Sequence, residues 1–254
     1  LSRTHLLIPD CHAHPEFHNR RADWLGKFIL DVKPDVVINI GDMWDFASMS
    51  EYDKGKASTF GRMYKDDLDA GLDFDDRLWH PIRKAKRKLP YSVFFEGNHE
   101  FRMKRILDTH PELNGLIGFK DLDLERNYNE VVEYEGNTPG YLGIDGVHYA
   151  HYFISGVMGR PISGEHPAYS LVTKLGSSAT CGHIHTLDFC VRNDISGRRR
   201  MGMVGGCYQD YASSWAGKVN KLWWRGVVLK KNVDDGCYDP QFISITDLKK
   251  EYGG

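Results

Sequence analysis

Residues 35–42, Asp35-Val36-Val37-Ile38-Asn39-Ile40-Gly41-Asp42, join an apolar run to a glycine and a carboxylate. The run is short and β-branched, so it reads as a buried strand that stops in a tight turn. Two neighbours repeat the pattern. Upstream, Leu6-Leu7-Ile8-Pro9 stops at Asp10; downstream, Tyr91 to Glu96 stops at Gly97-Asn98-His99-Glu100. Helical patterns lie between them. Asn19 to Asp31 places Trp24, Leu25, Phe28 and Ile29 on one face, with Pro34 just beyond its end. Leu68, Leu72, Leu78 and Ile82 mark a second helix that Pro81 is expected to bend. The order β-α-β-α-β predicts an α/β fold with a parallel core sheet covered by helices.

The texture changes from about Val131. Tyr141 to Ile144, the turn Asp145-Gly146 and Val147 to Ala150 read as a hairpin. His166 to Leu175 is helical, Ser178 to Cys181 is a strand, and Ser196-Gly197 turns another hairpin. Trp223 to Leu229 and Gln241 to Ile245 read as final strands around Asp234-Asp235-Gly236. This half is expected to be mostly antiparallel. No Pro/Gly/Ser-rich linker separates the halves, so residues 1–254 are expected to form one domain with two packed sheets. Internal repeats are absent.

Composition bounds the rest. With 254 residues, 41% hydrophobic and 12% aromatic, the chain can bury a full core, which excludes a disordered or collagen-like protein. Lys+Arg 33 against Asp+Glu 35 gives a net charge of −2, so any nucleic-acid contact has to be local. No apolar run approaches the ~20 residues of a membrane span. The first residues read as a strand rather than a signal peptide, and the 5 cysteines are odd in number without a CxxC pair. Reduced thiols and a cytoplasmic location are therefore expected.

Metal-type ligands sit at the strand ends. Asp10-Cys11-His12 offers a carboxylate and an imidazole, and Asp42 follows Gly41. Asn98 and His99 follow Gly97, His151 ends the strand Val147 to Ala150, and Gly182-His183-Ile184-His185 presents two imidazoles. Loops at the carboxyl ends of parallel strands converge, so these side chains are expected to meet. Each piece alone is commonplace: DxH occurs by chance, Gly-Asn-His is usually a turn, and HxH is usually an exposed pair. Their order and placement together are not. Carboxylate, amide oxygen and imidazole without thiolate suit Mn, Fe, Co, Ni or Zn. A carboxylate between two imidazole clusters can bridge two ions ~3.5–4 Å apart, an arrangement that clamps in-line displacement at phosphorus. His148 competes with His151. The two differ by three positions and face opposite ways within a strand, and His151 is preferred because it stands at the strand end.

This ordered set, Asp10-x-His12, Gly41-Asp42, Gly97-Asn98-His99-Glu100, His151 and Gly182-His183-x-His185, resembles the motif series of the calcineurin-like metallophosphoesterases over roughly residues 5 to 190. The resemblance implies a four-layered α/β sandwich with two central mixed sheets between helices. It implies two divalent ions, manganese first among them. Asp10, His12 and His185 would hold one ion, Asn98, His151 and His183 the other, and Asp42 would bridge them. A metal-bridging hydroxide would attack the phosphate ester in line. His99 would face the substrate and protonate the leaving oxygen, with Asp45 orienting its imidazole.

Departures from the family narrow the substrate. Related serine/threonine protein phosphatases follow the second acid of GDxxD with Arg-Gly, whereas Asp45 is followed by Phe46-Ala47. No fork-shaped donor stands there, which disfavours a protein phosphatase. Gly205-Gly206-Cys207 and Trp223-Trp224-Arg225-Gly226-Val227 resemble small phosphoesterases commonly encoded by phages, for which the host cytoplasm would be the location. The expected substrates are phosphate esters, chiefly phosphodiesters of nucleotides or nucleic acid. A nuclease acting on strands or ends is the alternative, ahead of a protein phosphatase or an idle metal-binding scaffold. Arg102 and Arg105 either reach phosphate beside the site or pair with Glu100 and Asp108. Arg83, Lys84, Lys86, Arg87 and Lys88 form a solvated helix end or a nucleic-acid contact. Arg198-Arg199-Arg200 projects from a hairpin pointing away from the metal-type ligands. Trp44, Phe46 and Tyr52 either pack under a loop or stack a base.

Overall fold

A computed structural model describes residues 2–254. Its first half alternates β1 (Arg3–Ile8), α1 (Arg20–Val32), β2 (Val36–Asn39), α2 (Tyr64–Lys84), β3 (Tyr91–Phe95), α3 (Phe101–Thr109) and β4 (Glu130–Val132). The second contains β5 (Tyr141–Ile144), β6 (Val147–Ala150), β7 (Ile154–Ser155), β8 (Arg160–Pro161), α4 (Pro167–Leu175), β9 (Ser178–Cys181), β10 (Leu187–Asn193) and β11 (Arg199–Gly205). The chain ends with β12 (Gly226–Asp234), β13 (Cys237–Ser244) and α5 (Ile245–Tyr252).

Two mixed sheets result. The first runs β13-β12-β1-β2-β3-β4, with β1 to β4 parallel, β12 antiparallel beside β1 and β13 antiparallel beside β12. The second runs β10-β11-β9-β6-β5. Its centre corrects the antiparallel expectation, because β6, β9 and β11 are parallel and only the outer strands pair antiparallel. The connection through α4 carries the chain back before β9 begins, which is what parallel neighbours require.

The short apolar strands are buried on both faces, and their alternation divides the core. Leu6, Val37 and Phe94 pack with Trp24, Leu25 and Phe28 of α1 and Leu78 of α2. Leu7, Val36, Ile38 and Val93 point the other way, onto Val147, Tyr149 and Met203 of the second sheet. On the far side of that sheet, Leu171 of α4 meets Ala179, Cys181 and Val204.

Several bounds differ from expectation. α2 continues through Pro81 to Lys84, and β12 starts at Gly226 rather than Trp223. Ile245 opens a helix rather than closing a strand, because the Ser244 side chain caps it by accepting from the Asp247 N–H. Among the described residues no helix is long and apolar enough to cross a membrane.

Candidate metal centre

The carboxyl ends of the parallel strands in both sheets converge on one spot. Asp10 follows β1, Asp42 follows β2, and Asn98 and His99 follow β3; His151 follows β6, and His183 and His185 follow β9. Backbone and side-chain packing fix each loop. Gly41 turns at φ +97°, where a side chain would strain the backbone. Gly97 and Gly182 serve close approach instead: a Cβ there would stand 2.2 Å from a carboxylate oxygen of Asp42 and Asp10, respectively. His12, Asp42, His183 and His185 all adopt positive φ (46°, 52°, 68° and 64°). Such conformations cost non-glycine residues about 1–3 kcal/mol each and persist where surrounding structure imposes them, commonly at functional sites.

Three donor groups form, each with its ligand atoms within 4.8 Å of one another: Asp10, His12 and His185; Asp42, His151 and His183; and His12, Asp42 and His99. In the first, His185 Nε2 lies 3.1 Å from both Asp10 Oδ2 and His12 Nε2. In the second, Asn98 Oδ1 stands 2.9 Å from His151 Nε2 and 2.7 Å from His183 Nδ1. Asp42 Oδ2 lies between the groups, 3.4 Å from His151 Nε2 and 3.8 Å from both His12 Nε2 and His99 Nε2. His148, by contrast, points away and contacts the Ser178 carbonyl.

Hydrogen bonds behind the rings set the tautomers. His12 Nδ1 meets Asp45 Oδ1 at 2.9 Å, and His151 Nδ1 donates to the Ile40 carbonyl at 3.0 Å. An Nδ1–H held this way makes Nε2 the nitrogen that faces the cluster, the orientation usual for a metal-binding histidine. His12 Nε2 then faces His185 Nε2 at 3.1 Å, with at most one proton between the two nitrogens. The donor set therefore fits a divalent cation of the borderline-hard kind.

Electrostatics couple the members of the cluster. Burial pushes the Asp42 carboxyl up, but the imidazoles of His151, His99 and His12 outweigh it and hold it well below the usual range. Asp45 is held low in the same way by His12 and His99. Burial lowers His151, yet Asp42 raises it to about 9. Burial and the neighbouring His151 push His183 down to about 4. One acid–imidazole cluster thus carries closely opposed charge shifts, which is characteristic of functional sites.

Some expected partners are rearranged. Asp45 meets His99 through its main chain: His99 Nδ1 donates to the Asp45 carbonyl at 2.6 Å, while the Asp45 carboxylate is 3.3 Å from that nitrogen and closer to His12. The Arg102 guanidinium donates to the carbonyls of Asp45 (2.8 Å) and Phe46 (3.1 Å) and lies 3.1 Å from His99 Nε2. A fork-shaped donor does stand beside Phe46, delivered by α3 rather than by the loop. Arg105 does not reach the site. It is exposed and lies over the Phe101 ring, because each turn of α3 carries side chains about 5 Å farther from the strand end.

Trp44 and Phe46 are fully buried beneath the loop and offer no face to a base, whereas Tyr52 is exposed. The basic end of α2 lies at the opposite end of the sheet. Arg87 and Lys88 line a 690 Å³ cavity with Arg3, Lys33 and Tyr91, and Arg83 is engaged by Asn127. A 570 Å³ cavity opens instead onto His12, Asp42, Asn98, His99, His183 and His185. The Arg198 tip pairs with Asp235, at the far end of β10 from His185.

One support stood in the motif without its role, and a second lay outside it. Buried Glu100 accepts from the backbone N–H groups of Asp42, Trp44 and Gly97, all at 2.9 Å, and so pins two ligand loops together. Fully buried Arg21 donates to the carbonyls of Cys11 (3.0 Å) and Tyr208 (3.1 Å). Glu100 follows His99 directly, a signal available in the sequence; Arg21 is masked by its place in a helix.

The chain is similar to two phage proteins. They are the Gene 54 protein of Mycobacterium phage D29, 27% identical over 169 residues, and that of Mycobacterium phage L5, 27% identical over 164 residues. Each match covers 62% of this chain and 60% of the relative, so the chain spans about 60% of the length of these curated relatives. No protein-family model matches the chain.

Proposed function

We propose that this chain is a phage-type, calcineurin-like metallophosphoesterase that holds two divalent ions, manganese first, and hydrolyses phosphate esters, chiefly phosphodiesters of nucleotides or nucleic acid. The observation that carries the reading is the position of Asp42, whose Oδ2 stands between the imidazoles of His12, His99 and His151 and so joins two donor groups. Asp10, His12 and His185 would hold one ion; Asn98, His151 and His183 would hold the other. Two such ions supply an acidified water and charge neutralisation at phosphorus.

The protein's own groups do the rest. Arg102 sits in the cavity with a planar fork suited to phosphate oxygens. His99 borders the same cavity and is raised in pKa: burial lowers it, but Asp42 and Asp45 outweigh burial and the opposing Arg102. An imidazole whose pKa is raised in this way is the better suited to carry a proton to a leaving oxygen.

The test combines stoichiometry with turnover. Protein reconstituted with Mn and dialysed should approach two ions per chain and cleave an ester among p-nitrophenyl phosphate, bis-p-nitrophenyl phosphate, cyclic nucleotides, DNA and a phosphopeptide. A ratio that stays near one with full activity removes the dinuclear centre. Two bound ions without turnover of any ester leave a metal-binding scaffold.

A further inference from the structure

The mouth of the 570 Å³ cavity carries an indole that the core does not need. Trp24, Trp44 and Trp79 are buried and Trp223 and Trp224 half-buried, but Trp215 is 70% exposed and lines the cavity. Its segment is held in place. Asn220 accepts from the Ser213 N–H at 2.9 Å and donates to the Ser213 carbonyl at 2.8 Å, and Arg225 ties the preceding Tyr211 carbonyl. Two ring contacts link the indole to the metal-type ligands. His185 meets Trp223 edge-on at 4.4 Å, and Trp223 meets Trp215 at 5.6 Å with a 54° tilt.

Beyond Arg102, charge around the mouth offers little to a polyanion. Lys56 and Arg62 are both engaged by Asp53, and the chain's net charge is −2. A cavity of this volume takes one small ligand. Beyond the one ester phosphate at Arg102, affinity for a nucleic-acid ester would therefore have to come from its base rather than from further backbone phosphates.

We propose that Trp215 is the stacking platform for the nucleobase of a nucleoside phosphate ester, so that the cleft selects a mononucleotide ester or an unpaired strand end over a base-free ester or a duplex. The inference rests on the phosphoesterase reading and names its substrate class. Base–aromatic stacking tolerates any base and needs the base out of a duplex. Because few phosphates would be neutralised, binding should depend weakly on salt.

The test uses two esters with one leaving group, thymidine 5′-(p-nitrophenyl phosphate) and methyl p-nitrophenyl phosphate, on Mn-loaded protein. Wild type should prefer the thymidine ester. Trp215→Ala should reduce that preference, as a ratio of kcat/KM values, by roughly 5- to 100-fold, and Trp215→Phe should restore part of it. Nucleoside monophosphate should quench tryptophan fluorescence in wild type, and Trp215→Phe should lose most of the quenching. An unpaired oligonucleotide should outcompete a duplex of equal length. If wild type and Trp215→Ala show the same ester ratio while both esters turn over, the platform is wrong and the phosphoesterase reading stands. If no ester turns over, that reading fails, and unchanged fluorescence on adding nucleotide then removes the platform as well.

Discussion

His99 shows how much one ring's surroundings decide. Its Nδ1 is committed to the Asp45 carbonyl, so Nε2 is the nitrogen available for chemistry, and Arg102 now stands 3.1 Å from it. A phosphate that drew the Arg102 guanidinium away would free Nε2 to address a leaving oxygen. His99→Ala should therefore keep both metals and lose ~10²–10⁴ in turnover of an alkyl or nucleoside ester, with a smaller loss on a nitrophenyl ester that leaves without a proton. Equal losses on both, or loss of a metal, would make His99 a ligand through its grouping with His12 and Asp42. Asp45 separates from His99 at the same scale. Asp45→Asn keeps the carbonyl contact to His99 and weakens the 2.9 Å partner of His12. It should lower affinity for the Asp10–His12–His185 ion by ~10–100-fold, as loss of a partner behind a ligand commonly does. Metal titration of Asp45→Asn checks this, and a leaving-group effect with unchanged metal affinity would return Asp45 to the orienting role.

Elements explain why the ligands arrive together and why their braces were hidden. Strands β1, β2, β3, β6 and β9 are local apolar runs ending in polar turns, and such runs are legible without knowing their neighbours. The strand-end positions of these polar side chains could be read for that reason. Pairing is non-local, so the parallel β6-β9-β11 centre was not legible. Arg105 followed Arg102 at helical spacing, but spacing does not tell which end of α3 faces the site. Glu100 acts on backbone amides, which carry no side-chain signature. Its prediction belongs here. In Glu100→Gln, one amide nitrogen must oppose a backbone N–H of Asp42, Trp44 or Gly97, leaving a buried donor unmet at a cost of about 1–3 kcal/mol. Urea unfolding should register that loss. Metal affinity should fall with it, because the loops carrying Asp42 and Asn98 are no longer clamped; stability lost with metal affinity intact would confine Glu100 to folding.

At the scale of the whole molecule the candidate centre draws side chains from both sheets, so the packing between sheets holds it together. That interface contains a group its sequence did not reveal. Lys230 lies one residue beyond the strand expected over Trp223 to Leu229, yet it pairs with His5 across the sheet and is fully buried. Its Nζ donates to Thr180 Oγ1 at 2.5 Å and to the Tyr149 hydroxyl at 3.3 Å, and it lies 4.5 Å and 4.4 Å from the Tyr149 and Tyr238 rings. The rings favour a charged amine, but both hydrogen-bond partners are hydroxyls, and burial drives Lys230 well below its usual pKa. That lowering fixes the sign of the pH dependence. Above the folded pKa and below the unfolded ~10.4, the unfolded chain binds a proton that the folded chain lacks, so stability rises with pH by up to about 1.4 kcal/mol per unit. Lys230→Met fills similar volume without that proton. Between pH 7 and 9 its stability relative to wild type should improve as pH falls, with the other titrating groups cancelling in the difference. Urea unfolding of both proteins across that range measures the slope; parallel pH profiles with the variant less stable throughout would mean that the two tyrosine rings hold a charged ammonium between the sheets.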